Sequence, residues 1–271
     1  MQSLDLTDIR MEYERPRTHE RVLALDGISL SIDNGSFVSI VGPSGCGKST
    51  LLLIIDGLVA PTGGQVTIDR RVISAPGRDR AIVFQEASLF PWYTTLRNCA
   101  YGLECQGLKR VKAEELARPL LKMVGLAGFE EHYPSELSVG MQQRANLARA
   151  IAVDPEVLLM DEPFAALDAQ TRELMQAELL SIWAQARKTV VFITHQIDEA
   201  IYLSDRVIVM SARPGRIIDD IPVGLGRPRD LDLKRSPEFA ALEQRIWRQL
   251  VTEVKRSGEL EQADADAAAS A

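Results

Sequence analysis

The apolar run Phe37-Val38-Ser39-Ile40-Val41 leads straight into Gly42-Pro43-Ser44-Gly45-Cys46-Gly47-Lys48-Ser49-Thr50, and no other stretch constrains the fold as strongly. It reads as a buried strand, a glycine-rich turn and the start of a helix, and it fits the phosphate-loop pattern G-x-x-x-x-G-K-[ST]. Glycines allow successive backbone N–H groups to point into one concavity, with no Cβ to hold an anion away. The helix that follows adds the positive end of its dipole. Lys48 is placed to reach β- and γ-phosphates, and the Ser49 hydroxyl to ligate Mg²⁺. The pattern therefore implies binding of a nucleoside triphosphate.

The rest of the chain supplies strands and helices in alternation. Leu23-Ala24-Leu25 and Ile28-Ser29-Leu30-Ser31-Ile32 alternate like half-buried strands, and Asp33-Asn34-Gly35 marks a turn. Leu51 to Leu58 is apolar all round, as in a buried helix, and Pro61-Thr62-Gly63-Gly64 ends it. Further strands are expected at Gln65–Asp69, Ala81–Phe84, Val157–Met160, Val190–Ile193 and Val207–Met210. Between about Leu96 and Ile151 helical spacing dominates. Glu114, Glu115, Arg118 and Lys122 are expected on the solvent side, with Leu116, Leu120, Leu121 and Val124 inward. A helix is expected from Ala169 to about Arg187 and a last one from Pro237 to Arg256. Such alternation implies a parallel sheet covered by helices. The expected fold class is α/β: a phosphate-loop NTPase core with an N-terminal antiparallel β region and an α-helical insertion at about 96–151. Residues 1–257 are expected to form a single domain. The Ala/Asp/Glu/Gln stretch 258–271 has little to bury and is expected to be a disordered tail.

Several expected strands end in a polar residue suited to phosphate chemistry. Val83-Phe84 ends at Gln85, Leu159-Met160 at Asp161-Glu162, and Ile193-Thr194 at His195. Ligands of open parallel sheets bind outside the carboxyl ends of the strands, so these groups are expected to meet at the phosphate loop. Adjacent carboxylates after an apolar strand are costly unless a cation or hydrogen bonds offset them. The natural division has Asp161 holding Mg²⁺ through its water shell and Glu162 polarising an attacking water as general base.

Leu137-Ser138-Val139-Gly140-Met141-Gln142-Gln143-Arg144 completes the pattern. Together with the glycine loop, Gln85, Leu158 to Pro163, Ala166-Leu167-Asp168 and Thr194-His195, it resembles the ATP-binding subunit of ABC transporters, over roughly Leu4 to Ile218. The resemblance implies ATP as the nucleotide, Mg²⁺ as its metal and an ATPase coupled to transport. It implies that Gln85 senses Mg²⁺ and the γ-phosphate, and that His195 contacts the γ-phosphate and helps orient the water. Ser138 and Gly140 would present a helix N-terminus to the γ-phosphate held by a second ATP-binding subunit, an identical copy or a paralogue. Asp168 would communicate across that dimer, and Tyr13, the sole aromatic residue before Phe37, would stack on adenine. The usual Ser-Gly-Gly-Gln is altered here to Ser138-Val139-Gly140-Met141, which bears on rate or dimer affinity more than on chemistry. Met141, Phe90-Pro91-Trp92, Pro163 to Arg172 and Ser211 to Ile217 resemble the branch that imports nitrate, sulfonates and taurine. By the same resemblance Ala87 to Tyr93 would receive a short cytoplasmic helix of a permease, with a solute-binding protein as an indirect partner.

Composition removes competing classes. A net charge of -7, from 31 basic and 38 acidic residues, argues against nucleic acid as the main partner. Cys46, Cys99 and Cys105 form no C-x-x-C pair, so neither a zinc site nor a disulfide framework is expected, and a reducing cytoplasm fits. With Asp5, Asp8 and Glu12 near the start no signal peptide is expected, and the most apolar run, Leu51 to Ala60, is broken by Asp56 and Gly57 and is too short to span a bilayer. The expected location is thus peripheral, on the cytoplasmic face of the bacterial inner membrane. The alternative is a soluble ABC-type ATPase acting in translation or repair, but neither a second ATPase unit nor a long coiled coil is present. A GTPase lacks its Asn-Lys-x-Asp motif here, and a simple kinase leaves the segment around Ser138 unexplained.

Overall fold

The computed structural model describes residues 3–16 and 19–269. In chain order the elements begin β1 (Ser3–Glu14), β2 (Arg21–Asp33), β3 (Phe37–Val41), α1 (Lys48–Asp56), β4 (Gly63–Ile68) and β5 (Arg71–Val72). Next come β6 (Arg80–Val83), α2 (Thr95–Cys105), α3 (Arg110–Met123), α4 (Val139–Ala152), β7 (Val157–Asp161), α5 (Ala169–Ala186) and β8 (Thr189–Ile193). The chain closes with α6 (Ile197–Leu203), β9 (Arg206–Met210), β10 (Ile217–Pro222) and α7 (Pro237–Ala269). It divides into two compact units, Met1–Pro76 with Phe192–Ala271, and Gly77–Val191.

The first unit holds an antiparallel sheet in the order β2-β1-β4-β5. The two expected strand segments between Leu23 and Ile32 are one long strand, β2, whose pairing with β1 shifts register three times. β1 itself and β10 were not anticipated. Neither has a long apolar run: β1 reads SLDLTDIRMEYE and β10 reads IIDDIP. The unit's other strands place β3 parallel to β9, with Val38 opposite Arg206 and Val41 opposite Val209, and β10 antiparallel beyond β9. All five residues of β3 are buried, as a central parallel strand requires. Phe37 packs on Phe192 with ring centroids 5.8 Å apart. The last helix runs past its expected end at Arg256, and its backbone is helical as far as Ala269. Ala, Glu and Gln, which are good helix formers, dominate that extension. Residues 270–271 lie outside the described residues.

The second unit contains the expected helical insertion as α2, α3 and α4, and β6 runs parallel to β7 with Arg80 opposite Val157 and Val83 opposite Met160. Two expectations are corrected here. The strand expected to reach Phe84 stops at Val83, and Phe84 is exposed. In α3 the buried stripe is Ala113, Ala117 and Leu121, followed by Val124, whereas Leu116 is exposed. Small alanines at i, i+4 spacing let neighbouring helices approach closely, which a reading weighted by side-chain size overlooks.

Candidate functional site

In the first unit, the chain leaves the buried β3 at Val41 and must turn at the strand's carboxyl end. Gly45 and Gly47 take left-handed φ values of 73° and 98°, which a residue with a Cβ adopts only with strain. A Cβ on Gly42 would lie 2.9 Å from Cys46 Sγ and 3.1 Å from Met210 Cβ, so the turn tolerates no side chain there either. Gly47 is the N-cap of α1, and no side chain caps the helix. The first-turn N–H groups thus keep their capacity for an anion. Lys48 is only 8% exposed, and its ammonium donates to the carbonyls of Gly42 and Pro43, each at 2.9 Å. Cys46 Sγ is 3.9 Å from it; burial pushes that thiol up, with the Lys48 charge opposing. Ser44, Gly45 and Ser49 are exposed, and Thr50 is partly so. Tyr13, near the end of β1, is exposed, and its hydroxyl lies 3.4 Å from Thr50 Oγ1 in the first turn of α1.

His195 emerges beside the same loop within this unit. Thr194 N–H donates to Ile40 O at 3.3 Å, which ties the end of β8 to the strand that feeds the loop. The Thr194 hydroxyl donates to the buried Glu199 carboxylate and accepts from Gln196 N–H. Its neighbour His195 is left exposed on a fixed backbone.

The second unit gathers the remaining expected residues. Because β6 and β7 are parallel and in register, Gln85 and the pair Asp161-Glu162 leave the sheet at the same end. Asp161 and Glu162 are half-buried, and Glu162 has φ 45°, an uncommon conformation for a residue with a side chain. Arg172 braces the following turn by donating to Phe164 O and Leu167 O at 3.3 and 2.6 Å. Ser138 is the N-cap of α4: its exposed Oγ accepts from Met141 N–H at 3.3 Å. Used as an acceptor there, the hydroxyl still has its proton to donate outward. A Cβ on Gly140 would stand 3.4 Å from Leu167 Cδ2, so α4 approaches the turn before Asp168 closely. Asp168 caps α5 through Thr171 N–H at 3.0 Å.

Two polar residues organise this unit without having been singled out in the sequence. Gln143, buried on α4, donates to Gln85 O at 2.5 Å. Asn98, buried on α2, accepts from Phe90 N–H at 2.7 Å and donates to Phe90 O, Tyr93 O and Thr94 O at 3.0–3.1 Å. Around that clamp Phe90 contacts Tyr101 and Trp92, centroids 4.8 and 5.6 Å away, and Trp92 is 65% exposed. Gln143 falls inside the Leu137–Arg144 block, but nothing in the spacing marks its partner; Asn98 carries no local signal at all.

The loop suits a phosphate chain: it offers uncapped N–H groups and one ammonium, and its exposed Ser49 hydroxyl is an oxygen donor of the kind Mg²⁺ takes. In the second unit the half-buried Asp161 carboxylate is a donor of the same kind. Comparison with known proteins agrees. A family profile described as ABC transporter matches residues 25–165. An uncharacterized ABC transporter ATP-binding protein of Methanocaldococcus jannaschii is 52% identical over 237 residues, 88% of this chain and 88% of that one. A nitrate import ATP-binding protein of Synechocystis sp. is 44% identical over 242 residues, 87% of this chain and 90% of its own. Among solved structures, a dimeric ATP-binding cassette in a post-hydrolysis state bound to ADP and Pi matches with TM-score 0.73 and 34% identity. That match covers 82% of this chain and all of the other.

Proposed function

The chain belongs to the ABC transporter family as an ATP-binding, ATP-hydrolysing subunit, and from that premise we propose that it energises a membrane importer of a small anionic solute of the nitrate, sulfonate or taurine kind. One observation carries the proposal. A phosphate loop closed around Lys48 sits in a chain whose similarity to a nitrate import ATP-binding protein spans 87% of its length. Residues 1–257 act as one ATP-binding domain.

The N–H groups of Gly42 to Thr50 and the Lys48 ammonium take the β- and γ-phosphates of ATP, and Tyr13 stacks on the adenine. Ser49, Gln85 and Asp161 would hold Mg²⁺, which supplies neutralising charge on the β- and γ-phosphate oxygens when bound. Glu162 accepts a proton from the attacking water as its oxygen bonds to the γ-phosphorus, and ADP leaves with the electron pair of the broken P–O bond. His195 contacts the γ-phosphate and orients that water, and Gln85 responds to whether the γ-phosphate is there. Ser138 and Gly140 present the N-terminus of α4 to the γ-phosphate of a second copy, a role the dimeric form of the similar cassette supports. Among the described residues no helix is long and apolar enough to cross a membrane. The membrane partner in this proposal is a pair of permease subunits reached through the loop around Trp92, at the cytoplasmic face of the inner membrane. A solute-binding protein selects the solute.

Nucleotide binding and hydrolysis by the chain assembled with its permease test the proposal. Lys48→Ala should weaken ATP binding. Glu162→Gln should retain binding but lower turnover by roughly 10²–10⁴-fold, as loss of a general base does. Wild-type turnover in Glu162→Gln would remove Glu162 from its assigned role. ATPase activity that no permease and solute-binding protein stimulates would favour an ATPase uncoupled from transport.

A further inference from the structure

Glu253 lies on α7, far in sequence from the phosphate loop, yet it is only 8% exposed. A carboxylate so buried needs a partner, and one is a backbone group: Ala212 N–H donates to Glu253 Oε2 at 2.8 Å. Ala212 belongs to the connection between β9 and β10, which closes on itself. Ser211 N–H donates to Arg216 O at 2.9 Å, Arg216 N–H to Ser211 Oγ at 2.9 Å, and Ser211 Oγ to Pro214 O at 3.0 Å. The closed loop is then pinned to the strand beneath: Gly215 N–H donates to Ala24 O at 2.8 Å, and Asp26 N–H to Gly215 O at 3.0 Å.

This connection forms the back of the phosphate loop. Arg213 Nη2 donates to Gly45 O at 3.4 Å, and a Cβ on Gly215 would stand 2.2 Å from Cys46 O. Met210, at the start of the connection, packs against Gly42. Peptides whose carbonyls are held from behind have N–H groups fixed in front, and those N–H groups are what a phosphate chain meets. On α7 itself, Arg245 and Gln249 hold the Asp219 carboxylate of β10 at 2.8 and 2.6 Å, so the helix cannot slide past the connection freely.

We propose that Glu253 is a positioning residue for nucleotide binding: through Ala212 it holds the 211–216 connection against Gly45 and Cys46, and so presets the N–H groups of the phosphate loop. The last helix thereby sets nucleotide affinity without touching nucleotide.

The test is the Kd of the full-length chain for a fluorescent ATP analogue with Mg²⁺, with KM for ATP and kcat measured alongside. Glu253→Ala is expected to weaken binding by about tenfold, the loss falling on KM more than on kcat. Glu253→Gln is expected to restore binding, because its amide oxygen accepts the same N–H. Should Glu253→Ala fail to fold, Arg213→Ala keeps the test open: the side chain is exposed, and its loss should weaken binding about threefold by freeing Gly45. Unchanged Kd in folded Glu253→Ala, or in Arg213→Ala, overturns the proposal, as does failure of Glu253→Gln to restore what Glu253→Ala loses. A wild-type chain that bound no nucleotide would instead overturn the ATPase reading itself.

Discussion

Nε2 of Gln143 donates to the backbone carbonyl of Gln85 at 2.5 Å, so α4, capped by Ser138, holds the chain two residues beyond the end of β6. Gln143→Ala should destabilise the fold by about 0.5–1.5 kcal/mol, since it removes one part-buried hydrogen bond. It should also lower kcat more than nucleotide affinity, because Gln85 and not the phosphate loop loses its support. Parallel titrations of binding and steady-state ATPase check this; an equal fractional change in both would place the effect in general unfolding.

Trp92 is more exposed than Tyr101 in an aromatic cluster whose loop backbone is clamped by Asn98. A rigid exposed aromatic is a typical interface anchor, worth about 2 kcal/mol or more when truncated. Trp92→Ala or Tyr93→Ala should therefore reduce co-purification with the permease, or uncouple transport, while nucleotide binding by the isolated chain stays unchanged. Full assembly and transport with both residues replaced would move the docking surface elsewhere.

Tyr13 stands beside Thr50 with its ring exposed. Stacking on a base is worth about 1–3 kcal/mol by alanine substitution, so Tyr13→Ala should weaken ATP binding at least several-fold. Tyr13→Phe separates the two possible contributions, since it keeps the π-face and loses only the hydroxyl contact with Thr50. Equal affinities in the wild type and Tyr13→Ala would assign the ring to the surface alone.

Ser138 caps α4 by accepting from Met141 N–H, and its side chain is exposed. With hydrolysis blocked by Glu162→Gln, added ATP should shift the chain from monomer to dimer in sedimentation, and Ser138→Arg on that background should abolish the shift. A monomer at saturating ATP and high protein concentration would count against a nucleotide-sandwiched pair of isolated subunits.

Asp168 accepts the Thr171 N–H at the start of α5, and that hydrogen bond holds its carboxyl below the ordinary value of 3.8. A folded-state pKa lowered in this way contributes stability above the unfolded value, and the contribution is lost as pH falls through the folded one. Asp168→Asn keeps a capping oxygen that does not titrate. Melting temperatures followed downward from about pH 5 should fall less steeply in Asp168→Asn than in the wild type. Parallel curves would assign the acid sensitivity to other carboxylates.

What the sequence determined by itself was whatever is encoded within a few neighbouring residues. The strand, turn and helix of Phe37 to Thr50 were legible because apolar continuity, glycine and a following helix are local properties. The places of Gln85 and of Asp161-Glu162 near the ends of β6 and β7 were legible because an apolar run precedes each. The remainder depends on partners far apart in the chain. Asn98 became the clamp of the aromatic loop, Gln143 the holder of Gln85 and Glu253 the brace of Ala212, because a buried polar group takes whichever partner the fold brings within reach. The same holds for Leu116, whose apolar side chain suggested burial and whose exposure followed from the smaller Ala113 and Ala117 packing inward. Periodicity reports that a face is buried, but helix-to-helix spacing chooses which face.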